Sequence, residues 1–257
     1  MLQASSRNMP KNCNWIIPDW PAPSNVKALT TVRQGGLSGG PYEGLNLADH
    51  VGDVKETVSE NRELLKTAAN LPSDPFWLKQ VHGTTVITLD DYTVPYPVLE
   101  ADGACAFSEE KICSVLTADC LPLLFCDRQG TRVSAVHAGW RGLAAGVIEA
   151  TVLKLNTAPS NLMVWLGPAI GPQFFEVRED VLAVFKDEQS PETFVPTETG
   201  TWLCNICALA KIRLQRLGIT AIFGGTFCTY QGSQQFYSFR RSGVTGRMAS
   251  LIWLESV

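Results

Sequence analysis

Apolar and polar positions along this chain change period several times, and each change marks an element. Residues 54–70 carry Val58, Leu64, Leu65 and Ala68 at helical spacing, with Pro72 beyond them, which predicts an amphipathic helix. From residue 77 to residue 138 the apolar runs are short and strand-like. Residues 77–81, 85–89, 112–117, 121–126 and 132–138 read as strands, and Asp127-Arg128-Gln129-Gly130 makes a hairpin turn between the last two. Helical spacing returns over residues 141–155, with Leu143, Val147, Ala150, Thr151 and Leu155 as the inner stripe. Residues 163–166 form a strand stopped by Gly167-Pro168, and residues 203–217 an amphipathic helix ended by Gly218. Residues 28–32, 221–223, 235–239 and 248–253 complete the strands.

Strands outnumber helices, and many neighbouring strands are close enough to pair antiparallel. The pattern predicts an α/β protein of the α+β kind with mixed sheets, not a doubly wound parallel sheet. No linker-like stretch divides residues 15–257, so one domain is expected there, preceded by a loose tail over residues 1–14. At 257 residues and 45% hydrophobic content the chain has enough apolar surface for a large core.

Charge narrows the partners. The net charge is −4 and no Lys/Arg run exceeds two residues, which disfavours a nucleic-acid track or an anionic membrane surface. The first residues lack the apolar segment of an export signal, and Asp, Pro or Gly interrupts each apolar run short of a membrane span. Eight cysteines spread through apolar text then read as reduced thiols of a cytoplasmic protein. A small anion held by a few arginines stays compatible with this balance, as does a monomer or weak homo-oligomer.

The chemistry concentrates on scarce residues. Only three histidines occur. His82 closes Trp77-Leu78-Lys79-Gln80-Val81-His82-Gly83, and His137 lies in Val136-His137-Ala138-Gly139-Trp140-Arg141-Gly142. Between them comes Cys120, in Thr117-Ala118-Asp119-Cys120. Two imidazoles and a thiolate at strand ends are the donor set of a zinc site with one position left open. The same residues also suit a metal-free nucleophile and base, or separate packing roles, since their spacing follows no zinc-finger rule. Among the arginines, Arg33 precedes the Gly35–Gly40 loop, Arg141 lies where a helix should begin, and Arg240-Arg241 is followed by Arg247; guanidinium forks bind phosphate bidentately. Cys204-Asn205-Ile206-Cys207 has no second pair for a zinc ribbon and reads as packing. The glycine-rich loop lacks the Gly-Lys-Ser/Thr of a phosphate loop.

Those strings resemble the blocks of the YfiH/laccase-domain family, as do Leu45-Asn46-Leu47, Asn61-Arg62, Trp165-Leu166-Gly167-Pro168-Ala169-Ile170-Gly171-Pro172, Phe175-Glu176-Val177 and Thr245-Gly246-Arg247-Met248-Ala249. The resemblance runs from about Trp15 to Leu254. It implies a layered α/β/β/α sandwich with zinc held by His82, Cys120 and His137. It also implies phosphorolysis of adenosine, inosine and methylthioadenosine, with adenosine deamination as a further activity. Substrate contacts are expected from Arg33, Asn46, Gln80, Arg141 and Arg240. Cys120, His137 and Asp119 are the expected catalytic groups, and Asp102 is a further carboxylate near enough in sequence to move protons. Asn205 stands where many relatives have Asp. The family's older laccase label meets a count: a multicopper oxidase needs about ten imidazoles, and three cannot supply them. Copper could load singly and support a side oxidation. A Cys120–His137 hydrolase or amidase acting on peptidoglycan precursors is the competing reading.

Overall fold

A computed structural model of the protein describes residues 15–93 and 98–256; the tail expected over residues 1–14 lies outside the described residues. In chain order the elements are β1 (Val26–Thr30), α1 (Lys55–Ala68), β2 (Val86–Thr88), β3 (Gly103–Ala106), β4 (Cys113–Thr117), β5 (Leu121–Asp127), β6 (Val133–Ala138), α2 (Trp140–Ala145), α3 (Val147–Leu155), β7 (Leu162–Leu166), β8 (Glu176–Val177), α4 (Glu179–Val184), β9 (Phe194–Pro196), β10 (Trp202–Cys204), α5 (Ile206–Arg216), β11 (Ala221–Gly224), α6 (Phe239–Ser242) and β12 (Met248–Leu254).

Three sheets result. The largest runs β11-β7-β5-β6-β3-β2, a second runs β1-β12-β4, and a small one runs β8-β10-β9. The largest is mixed, parallel at its β11–β7 and β2–β3 edges and antiparallel between. Side-chain alternation along the strands explains the layering. On β5, Leu121, Leu123 and Phe125 face one core while Leu124 and Cys126 face another. The first core is closed by the helical layer, with Leu143, Val147, Ile148, Leu209 and Leu214. The second lies between the two large sheets, where Cys113, Val115 and Ile252 meet Val133, Ala135 and Met163. The outer face of β1-β12-β4 is covered by Leu65 of α1 together with Leu45 and Leu47. The α/β/β/α sandwich expected from the resemblance is thus what the packing produces.

Four local expectations change. Residues 77–81 form only an isolated bridge, in which Lys79 N–H goes to Leu99 O and Lys79 O accepts the Ala101 N–H, and the pairing stops where the Val81 N–H turns to the Asp102 carboxylate. The helix expected over residues 141–155 is two, broken at Gly146, whose φ of 102° caps α2 and starts α3. Residues 203–204 belong to β10, and α5 starts after Asn205, whose Oδ1 accepts the Ala208 N–H at 3.1 Å. Asn caps a helix as well as Asp does, so no carboxylate is required there. Residues 235–239 are a turn leading into α6 rather than a strand, with Gln235 and Phe236 N–H both on Gly232 O.

Candidate active site at the sheet ends

His137 shares the parity of Val133 and Ala135, so it points between the two large sheets at the very end of β6. Leu121 of β5 pairs with Ala138, which places Cys120, one residue earlier, beside the turn at Gly139. His82 arrives on a loop with φ of 60°, a left-handed conformation that a non-glycine residue holds only under constraint. Asp102 is that constraint. It is fully buried, and its carboxylate accepts the N–H groups of Val81, His82 and Gly83 at 3.2, 2.9 and 2.6 Å.

The three expected ligands converge. Nitrogen and sulfur donors of His82, Cys120 and His137 all lie within 4.8 Å of one another, with the two imidazole rings edge-on at 82°. His137 Nδ1 is 2.8 Å from Asp102 Oδ1, so the same carboxylate orients one imidazole and anchors the loop of the other. A carboxylate behind a metal-binding imidazole fixes its tautomer and raises its basicity. Gly139 supplies the space: a Cβ there would lie 3.0 Å from His82 Cδ2 and 3.1 Å from Cys120 Sγ. Soft thiolate, two imidazoles and a cradle kept open by a glycine fit a zinc ion.

Electrostatics agree with that donor set. Burial pushes the Cys120 thiol up, yet the His137 charge and hydrogen bonds from both imidazoles outweigh it and bring the thiol to about 6. Burial lowers His137, while the Cys120 charge and the Asp102 hydrogen bond together raise it to about 9. Burial also raises Asp102, but the His137 hydrogen bond and the backbone N–H groups leave it below its ordinary value.

A cleft of about 480 Å³ opens over the trio, lined among others by His50, Gln80, Asp119, Trp140, Arg141, Ile170, Phe175, Phe239, Arg240 and Arg247. Gln80 sits on this wall with both amide atoms spent on Leu116. Asp119, held at φ of 98°, accepts the Thr229 hydroxyl and the Arg240 N–H, each at 2.6 Å. Arg141 is exposed and stacks over Trp140 at 4.3 Å. Arg240 bonds the carbonyls of Phe174 and Glu176 at 3.3 and 3.0 Å. Arg33 and Asn46 are not on the wall. Arg33 bonds Ser233 O and Glu43 O and stacks on Tyr237, while Asn46 is fully buried and accepts the Arg247 N–H at 2.9 Å. His50 and Phe239 line the wall without belonging to any sequence motif, while Trp140, Phe175 and Arg247 lie within motifs that assign them no role. Only His50 carried a usable signal, as the third of three scarce histidines.

The fold and this cluster define a class: a layered α/β protein whose described residues bring together a His/Cys/His group able to hold a metal ion. The family model described as multi-copper polyphenol oxidoreductase laccase matches residues 27–255, and the chain belongs to that family. It is 50% identical over 244 residues to "Purine nucleoside phosphorylase PA4543" of Pseudomonas aeruginosa, covering 94% of this chain and 98% of that one. It is 48% identical over 241 residues to "Purine nucleoside phosphorylase YfiH" of Escherichia coli K12, covering 93% and 98%. Among solved structures, Neisseria meningitidis protein NMB0706 superposes with a TM-score of 0.89 at 45% identity, covering 95% of this chain and 100% of that one. YlmD from Geobacillus stearothermophilus gives 0.87 at 27%, covering 99% and 98%. Among the described residues no helix is long and apolar enough to cross a membrane, and seven cysteines are free thiols.

Proposed function

We propose that this protein is a zinc-dependent purine nucleoside phosphorylase of the cytoplasm. On this reading it converts adenosine, inosine or methylthioadenosine and phosphate to free base and the ribose 1-phosphate, with adenosine deamination as a second activity. The observation that carries this reading is the company the trio keeps. Three arginines, Arg141, Arg240 and Arg247, line one cleft with it, Arg240 and Arg247 each placing one guanidinium nitrogen on backbone carbonyls, and the cleft's carboxylate, Asp119, already accepts two protein donors. Such a wall favours a small anion beside a neutral, flat, partly apolar molecule. The names carried by the relatives point the same way.

His82, Cys120 and His137 would hold the zinc. When bound, it supplies a Lewis acid with an open coordination position. Asp102 holds the His137 tautomer and fixes the His82 loop. Arg141, Arg240 and Arg247 would orient phosphate toward C1′ of the ribose, while Trp140, Phe175 and Phe239 offer apolar surface to the base. Asp119 serves by position, tying the start of α6, and with it Arg240, to the turn before β5.

Incubating the zinc-loaded protein with adenosine, with and without phosphate, tests the reading. Adenine and ribose 1-phosphate should appear only with phosphate, and inosine in either case. Absence of phosphate-dependent base release would overturn it. A thiol hydrolase is the second reading, favoured by a Cys120 thiol brought to about 6 beside an imidazole. It requires turnover after chelation, abolished by iodoacetamide. Because the thiolate is the nucleophile, alkylation of the chelated protein at Cys120 should slow as pH falls through about 6.

A further inference from the structure

Breaking a purine–ribose bond leaves electrons on the base, and a proton delivered to a ring nitrogen relieves that charge. Most polar side chains of the cleft are already committed elsewhere. Gln80 has both amide atoms bonded to Leu116, and Asp119 has both carboxylate oxygens bonded, to Thr229 and to the Arg240 N–H. The arginines stay protonated at any working pH. His82, His137 and Cys120 form the group proposed to hold the metal. The remaining proton carrier on the described wall is His50.

His50 is exposed, so it is not a packing residue, yet its loop is tightly mounted. Asn46 Nδ2 donates to Ala48 O at 3.0 Å and to Asp53 Oδ2 at 2.8 Å, and Asn46 Oδ1 accepts the Ala48 N–H at 3.1 Å. Arg62 puts two donors on Leu47 O, and the Tyr42 hydroxyl donates to Val51 O at 2.7 Å. The Asn46 oxygen also takes the backbone N–H of Arg247, so the loop that carries the imidazole and the backbone of Arg247 are tied to the same buried amide. Asp49 lies 3.5 Å from His50 Nδ1 and 3.7 Å from Arg62.

We propose that His50 is the general acid that protonates the departing purine; this rests on the phosphorylase reading above. A phosphate oxygen bonds to C1′, the C1′–N9 bond breaks with its electron pair going to the base, and the imidazolium proton passes to a ring nitrogen of that base. Neutral His50 then takes a proton from the solvent, and charge and atoms balance.

The test compares inosine with 7-methylinosine, whose base already carries a positive charge and departs without a proton. With phosphate present, His50→Gln should lower kcat/KM for inosine by about 10²-fold or more and that for 7-methylinosine by less than about threefold. Zinc content and melting temperature should match the wild type. An equal fall on both nucleosides, or no fall on inosine, overturns the role of His50 while leaving phosphorolysis intact. A wild-type enzyme that consumes neither nucleoside with phosphate overturns the phosphorylase reading, and the inference with it.

Discussion

The two ends of the β5–β6 hairpin carry the same kind of residue in opposite states. At one end Cys120 precedes β5, and imidazoles hold its thiol down at about 6 against the push of burial. At the other, Cys126 lies six residues along, and burial with the neighbouring Asp127 charge pushes its thiol up to about 12. Cys105 and Cys204, buried in the same way without imidazole partners, are raised to about 11 and about 12. Burial alone therefore silences a thiol. What separates Cys120 is convergence: the open end of the hairpin meets the His82 loop and Asp102. The closed end is saturated by itself, since Asp127 accepts Thr131 N–H, Thr131 hydroxyl and Arg132 N–H at 2.7, 2.7 and 3.0 Å. A strand end becomes a site when its neighbours leave donors pointing outward, and a turn when they do not.

The sharpest way to break this contrast is Cys120→Ala. Zinc content and base release should both fall to background, because one of the three proposed ligands would be gone and the remaining pair would hold the ion weakly. Metal analysis alongside product separation reads both. Full activity in a metal-free Cys120→Ala preparation would remove any difference between the two hairpin ends.

Asp102→Asn sharpens the comparison without touching a ligand. The amide keeps the shape but presents an NH2 group where two of the four contacts need an acceptor, either those of Val81 and Gly83 or those of His82 and His137. Zinc affinity should drop about 10- to 100-fold, the range typical of partners behind metal-binding imidazoles. Competition against a chromogenic chelator measures it. The sign of the pH effect follows from Asp102 itself. Its pKa lies below the ordinary 3.8 in the folded protein, so its contribution to stability is present above that value and lost as pH falls below it. Asp102→Asn should therefore flatten the acid limb of the stability profile.

Much of this was legible in the residues, for uneven reasons. The strands β4, β5, β6, β7 and β12 follow apolar runs bounded by turn chemistry, and their ends lie within two residues of expectation. Strand β3 was not legible: Gly103-Ala104-Cys105-Ala106 is buried on both faces and shows no alternation. The trio was visible because histidine is scarce, but Asp102 was only a carboxylate near it in sequence. Its role as a hub for three N–H groups and an imidazole depends on a loop that returns to it across twenty residues. Arg33 and Arg247 invert in the same way. Arg33 adjoins a conspicuous glycine loop yet binds carbonyls outside the cleft wall, and Arg247, which the sequence marks only as following the Arg240-Arg241 pair, lies on the wall because β12 starts beside the end of β4.

The smallest effect should come from Cys126→Ala, the counterpart of the first substitution at the closed hairpin end. Cys126 behaves as a small buried apolar group, fully enclosed between the sheets with Leu124, Val133 and Met163. Removing one sulfur leaves a void comparable to an Ile→Val change, costing about 1 kcal/mol of stability. Zinc content and kcat should stay at wild-type values, because the turn that closes this end is held by Asp127 rather than by the thiol. Chemical denaturation and metal analysis on one preparation separate the two quantities. A Cys126→Ala protein that loses zinc while keeping its stability would mean the hairpin transmits more than packing between its ends, and the contrast drawn from the two thiols would fail.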